Sequence, residues 1–140
     1  MKILHFMIQP RGWIAVAKMF SLAIENGSLY ILYTGRAADP TGLFLKTPSR
    51  WGVAPKLFQN KYNQEIFPNQ KHIESVGAEA FLHSSKKSSK LPLSSIKEVE
   101  VRDSVWGGCS FRFEANGKKY TFIFDRPRME EVSTFSSFFS

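Results

Sequence analysis

The stretch Cys109-Ser-Phe-Arg-Phe-Glu-Ala-Asn-Gly-Lys-Lys-Tyr-Thr-Phe-Ile-Phe124 decides the fold. Asn116-Gly117 at its centre is a strong hairpin signal, because both central residues of a type I′ turn need positive φ. With the turn placed there, Phe113 falls opposite Tyr120, Phe111 opposite Phe122 and Cys109 opposite Phe124. The other face sets Glu114 against Lys119 and Arg112 against Thr121. One face is therefore an aromatic ladder and the other carries an opposite-charge pair. A slip of one residue would exchange the two faces, so the register is well specified.

Downstream, Asp125-Arg-Pro-Arg-Met-Glu-Glu131 reads as a helix start. Pro127 suits the first turn, where a missing N–H costs nothing, and Glu130 and Glu131 suit the positive end of the helix dipole. Met129, Val132, Phe135 and Phe139 then recur at spacings of three and four, giving an apolar stripe. The helix is short and Ser-rich, so packing must hold it more than propensity does.

Upstream, Leu93 to Val101 has strand chemistry, with Val99 and Val101 on one face and Glu98, Glu100 and Arg102 on the other. Asp103 to Gly108 turns the chain into the hairpin. A second Asn-Gly turn, Asn26-Gly27, pairs Ile24 with Leu29, Leu22 with Ile31 and Phe20 with Tyr33. Apolar groups lie on both faces of this hairpin, so one side is expected to be covered and the other partly packed. Ile3 to Ile8 reads as an edge strand, and Trp13 to Met19 as either a strand or one or two helical turns.

Between about residues 35 and 70 the character changes. Gly35, Pro40, Gly42, Pro48, Gly52, Pro55 and Pro68 punctuate the chain too often for a long regular element, and this segment reads as an irregular insertion. Thr41 to Lys46 could form a short strand. Pro55 to Phe67 reads as a short helix with a Phe58, Tyr62, Ile66 stripe, stopped by Pro68. His72 to Val76 and Ala78 to His83 read as a strand pair or as one strand bulged at Gly77. Ser84-Ser-Lys-Lys-Ser-Ser-Lys90 reads as a polar, basic loop with nothing in it to bury.

At 140 residues the chain is one domain, 1–140, large enough for a single core. Thirteen of its aromatic residues are Phe, which favours a barrel or sandwich interior. The net charge of +7 is unevenly placed. Residues 36 to 90 hold nine basic and four acidic side chains, whereas residues 91 to 140 hold seven of each. The excess base lies outside the C-terminal hairpin and helix and hints at an anionic partner. One cysteine excludes a disulfide framework and a cysteine metal cluster, which suits a reducing, cytoplasmic setting. No apolar run approaches the roughly 20 residues of a spanning helix.

The order is hairpin, interruption, strands, hairpin, terminal helix. With Gly27-Ser-Leu-Tyr-Ile-Leu32, Leu91-Pro-Leu-Ser-Ser-Ile-Lys-Glu-Val99, Phe111-Arg-Phe113 and Lys119-Tyr-Thr-Phe-Ile-Phe124, it resembles the pleckstrin-homology (PH) superfold in its bacterial, GRAM-like versions. The resemblance covers about two-thirds of the chain and leaves out residues 36 to 70. It implies a mainly β, partly open antiparallel barrel of about seven strands in two near-orthogonal sheets, capped by a C-terminal α-helix. It also implies a binding module, with phosphoinositide headgroups or peptides as the usual partners. Headgroup-binding members carry bases in the loop between their first two strands. If those strands are Phe20–Glu25 and Ser28–Tyr33, that loop is Asn26-Gly27 and holds none, so specific phosphoinositide recognition is not expected.

The candidate anion-binding residues fall into two sets. Lys86, Lys87 and Lys90 form the densest basic cluster. Arg50-Trp51, with Lys56, Phe58, Lys61 and Tyr62, interleaves bases with aromatics as single-stranded nucleic-acid binders do. An enzyme is not expected. His5, His72 and His83 lack metal-ligand spacing, Cys109 sits on an aromatic face, and Gly107-Gly108 is not followed by the helix a phosphate loop needs. Glu98 and Glu100 share a strand face, as carboxylates on solvated edges do. The expected function is therefore a non-catalytic binding or adaptor module with no cofactor. Its expected partner is a protein or an anionic membrane surface reached from the cytoplasm. The alternative is single-stranded nucleic-acid binding through residues 50–62.

Overall fold

A computed structural model describes residues 1–9, 16–38, 62–103 and 108–139. Among them, seven strands form one sheet: β1 (Lys2–Gln9), β2 (Val16–Glu25), β3 (Ser28–Ala38), β4 (Ser89–Pro92), β5 (Ile96–Asp103), β6 (Gly108–Ala115) and β7 (Lys118–Asp125). The spatial order is β4-β3-β2-β1-β7-β6-β5, and every neighbouring pair is antiparallel. Its two outermost strands, β4 and β5, are joined by a single 3₁₀ turn, Leu93–Ser95. Laid flat, six strand spacings of about 4.8 Å would separate those edges by about 29 Å. Three linking residues reach no more than about 15 Å. The sheet must therefore curl, and it does so as an open barrel.

Both Asn-Gly hairpins have the expected register. Phe113 opposes Tyr120 and Phe111 opposes Phe122 in one, while Leu22 opposes Ile31 and Phe20 opposes Tyr33 in the other. The cause is local, since Asn26, Gly27, Asn116 and Gly117 all have φ between 52° and 78°. The two halves of the sheet meet at a narrow seam, Ile8 opposite Ile123. The result is one continuous sheet where the PH resemblance implies two. It also places β1 between β2 and β7 rather than at an edge. Leu4 and Met7 both point into the barrel although three residues apart. A bulge between them, with Phe6 at φ 61°, resets the alternation.

The barrel interior is aromatic. Phe20, Phe111, Phe113, Phe122 and Phe124 are buried, and Cys109 lies among them. After a 3₁₀ turn at Arg126–Arg128, helix α3 (Met129–Ser136) closes one mouth. (Two earlier helices, α1 at Phe67–Val76 and α2 at Ala78–Ser84, pack outside the barrel.) Val132, Phe135 and Phe139 are buried, and the ring of Phe111 lies 6.4 Å from Phe135 and 5.5 Å from Phe139. Arg128 ties this lid to the bulge by donating to the Phe6 carbonyl at 3.1 Å.

The convex side departs from the sequence reading. Residues 62–84 are helical: a π-helical turn (Tyr62–Ile66), α1 (Phe67–Val76) and α2 (Ala78–Ser84). The strands read at His72–Val76 and Ala78–His83 are these helices, broken at Gly77, where φ is 90°. Pro68 lies in the first turn of α1, where it needs no N–H partner, so it begins a helix instead of stopping one. Ile73, Ala78 and Phe81 pack on Ala23, Tyr30 and Leu32, which explains why both faces of the β2–β3 hairpin are apolar. Gly35 and its neighbours to Ala38 continue β3, so the insertion is not irregular at its start. At Gly35 (φ 150°) a Cβ would fall 2.9 Å from Glu65 Cδ, so glycine leaves room for the Glu65 side chain to lie on the strand. The strand read at Thr41–Lys46 and the helix read from Pro55 fall on residues outside those described, except for its end at 62–67.

Two stability tests follow from this packing. Phe111→Ala should cost about 3–5 kcal/mol in urea unfolding. Phe138→Ala, on a ring 43% exposed, should cost less than about 0.5 kcal/mol. Equal losses would contradict the placement of the barrel core. Gln70 is buried on α1 with its Nε2 unpartnered among the described residues. Gln70→Met should therefore raise stability by about 1 kcal/mol; a loss of that size would show that the amide is satisfied.

Candidate functional site

Strand β4 is short and pairs only with Ser28–Ile31 of β3. Beyond it, the Tyr33 N–H has no β4 carbonyl to reach and donates to Ser88 Oγ at 2.9 Å. Ser88 in turn donates to Ser85 Oγ at 2.8 Å. The Ser84–Lys90 segment is thus not wholly solvated: Ser85 and Ser88 are half-buried, and β4 begins at Ser89. These bonds hold a tight turn with Lys86 and Lys87 exposed at its tip.

Behind that turn lies a pocket of about 340 Å³. Tyr33 of β3 and Phe81 of α2 supply its apolar walls, and Asn69 and His72 line it from α1. Ser84, Ser85, Lys86 and Lys87 complete the lining, which contains no carboxylate among the described residues. Asn69 donates to the Thr34 carbonyl at 2.8 Å, fastening α1 to the sheet. The His72 ring lies 5.8 Å from that of Phe81. Lys87 places its ammonium 4.8 Å from the centre of the Tyr33 ring, within cation–π range.

The three lysines read together from the sequence separate here. Lys90 Nζ donates to Glu79 Oε2 at 3.1 Å, and the buried Tyr30 hydroxyl donates to the same oxygen at 2.5 Å. His83 lies 3.3 Å from the other oxygen of that carboxylate. Lys90 is thus committed inside the molecule, holding α2 against β3 and β4. Lys86 and Lys87 form no ion pair among the described residues. Arg50, Lys56 and Lys61 lie outside the described residues. So do residues 10–15 between β1 and β2, among them Arg11. The first two strands are therefore β1 and β2 and not those joined by Asn26-Gly27, so the lack of a base at that turn does not bear on phosphoinositide binding.

A second constellation was not legible in the sequence. His5 Nδ1 lies 2.6 Å from Ser21 Oγ, and its Nε2 lies 3.0 Å from Glu74 Oε1. The residue types match a nucleophile, a base and an orienting carboxylate. However, Ser21 is 0% exposed, so no substrate carbonyl can reach its oxygen. The trio clips α1 to the convex sheet face. Nothing in the spacing of residues 5, 21 and 74 signals it, because it depends on the β1 bulge and on the helix crossing above. Cys109 is buried and bonded to Asp103, and burial pushes its thiol up, away from a reactive thiolate. Among the described residues no cluster of His, Cys, Asp and Glu could hold a metal ion, and no helix is long and apolar enough to cross a membrane.

No family model matches the chain, and neither a curated protein nor a solved structure matches it.

The Tyr30–Glu79–Lys90 cluster sets a pH dependence. Hydrogen bonds from Tyr30 and then Lys90 hold the Glu79 carboxyl below its ordinary value of 4.5. Its contribution to stability is therefore present above that pH and is lost as the pH falls through the lower folded value. Burial raises Tyr30, and the bond to Glu79 raises Lys90, so their contributions are lost in strong alkali. Glu79→Gln should flatten the acid limb of a Tm-against-pH curve below about pH 4.5. Identical acid limbs in the two proteins would contradict the cluster.

Proposed function

We propose that the protein is a non-catalytic binding module, a PH-like barrel that docks on anionic membrane surfaces through the Lys86–Lys87 turn. One observation carries this reading. Among the described residues, the two lysines stand exposed at a turn tip without ion-pair partners, above a pocket with no acidic side chain in its lining. The neighbouring Lys90 is neutralised by Glu79, so the local field at the tip is set by the uncompensated pair. The barrel provides the frame. Backbone and serine hydrogen bonds fix the turn on β3, so little ordering entropy is lost when it meets a surface. The seven-stranded antiparallel sheet closed by a C-terminal helix supports the resemblance to the PH superfold. Each lysine near an anionic bilayer is worth about 1 kcal/mol, and the attraction fades within a Debye length.

Vesicle sedimentation tests the reading. Binding to phosphatidylserine-containing vesicles should fall steeply between 50 and 300 mM salt and be absent on phosphatidylcholine alone. Lys86→Gln with Lys87→Gln should weaken it by roughly thirtyfold, two lysines at about 1 kcal/mol each. Lys118→Gln with Lys119→Gln removes the same charge from the β6–β7 hairpin and should change it little. Equal losses from the two double variants would reduce the effect to net charge and overturn the assignment of the turn.

A further inference from the structure

Resting on that reading, we infer that the pocket behind the turn receives a single phosphate monoester, so that a dianionic headgroup is preferred over a diester. A flat electrostatic contact needs only the two exposed ammonium groups. The pocket offers more. The Tyr33 N–H donates to Ser88 and Ser88 donates to Ser85, so the chain of bonds runs toward the pocket and leaves the Ser85 hydroxyl hydrogen as its last, polarised donor. Asn69 uses one N–H on the Thr34 carbonyl and keeps a second. The ring nitrogens of His72 make no hydrogen bond among the described residues, and the ring lines the same pocket.

Lys86, Lys87, His72, Asn69 and Ser85 thus line one pocket with donors, and no carboxylate among the described residues lines it to compete for them. Three terminal oxygens sharing two negative charges match that set. A diester presents two such oxygens and one charge, and would leave donors unmet. At about 340 Å³ the pocket lies at the small end of ligand sites, which run from about 300 to 1,000 Å³, so it suits one headgroup and its first carbons. Tyr33 and Phe81 wall it where those carbons would lie.

The test uses glycerol 3-phosphate, a soluble monoester, beside glycerophosphocholine, a diester, followed through backbone amide resonances at constant ionic strength. The monoester should shift the amides of Tyr33, His72 and Ser84–Ser88 saturably, and the diester should bind at least about tenfold more weakly. His72→Ala, which leaves the Ser85–Ser88 bonds of the turn in place, should weaken the monoester several-fold while leaving binding to phosphatidylserine vesicles, a diester surface, unchanged. Vesicles of phosphatidic acid and phosphatidylglycerol at matched surface charge then identify the source. A preference for phosphatidic acid alongside a weak soluble monoester assigns the pocket to a lipid-borne phosphate. Saturable soluble binding without that preference assigns it to a free metabolite phosphate. Equal binding of monoester and diester, or shifts centred elsewhere, would overturn the inference. Salt-sensitive vesicle docking would survive that result, so the two failures are distinguishable.

Discussion

Three residues between β4 and β5 constrain the whole molecule. They join strands at opposite ends of a seven-strand order, so the sheet has no flat alternative. Once curled, it has a concave face that can hold large side chains only if they fill it, and phenylalanines from β2, β6 and β7 do so. Edge-on contacts such as Phe20 with Phe122 at 5.7 Å bridge the two halves of the sheet, where β1 and β7 share only a narrow seam. The open mouth then demands a lid. Phe135 and Phe139 are the side chains that meet this demand, and the Arg128 bond to the β1 bulge sets where the lid begins.

The same geometry produces the candidate site. Because β4 is short, most of β3 has no β4 neighbour, and the Ser88 hydroxyl replaces a strand carbonyl at Tyr33. Helices α1 and α2 cover the convex face through a second apolar cluster and three polar ties: His5 with Glu74, Asn69 with the Thr34 carbonyl, and Tyr30 with Glu79. The pocket lies where β3, the two helices and the Ser85–Ser88 turn meet, lined by Tyr33, Asn69, His72 and Phe81. Its basic character comes from two lysines without an ion-pair partner among the described residues, beside one that Glu79 neutralises.

What could be read in advance depended on the range of the interaction. Asn26-Gly27 and Asn116-Gly117 encode their turns within two residues, and the alternation beside each turn carries the pairing outward. The lid was equally legible, because Val132, Phe135 and Phe139 repeat at helical spacing behind Pro127. Position within the sheet was not legible: Ile3–Ile8 reads as a strand, but its burial between β2 and β7 is a property of the curled whole. Helices α1 and α2 were misread because each is short and Gly77 divides them. Gln70 also interrupts the apolar stripe that would have given α1 away. Lys90 looked like a partner of Lys86 and Lys87, since the carboxylate that claims it lies eleven residues earlier, on a helix that had been read as a strand. The His5, Ser21 and Glu74 clip spans three elements and has no local signature at all.

The most direct test of the curled, lidded sheet is nuclear Overhauser spectroscopy on protein with labelled phenylalanine rings. The account requires cross-peaks from Phe135 and Phe139 to Phe111, and from Phe20 to Phe122, which no flat or unlidded sheet can supply. Terminal phenylalanine rings that show contacts only within their own helix would contradict it.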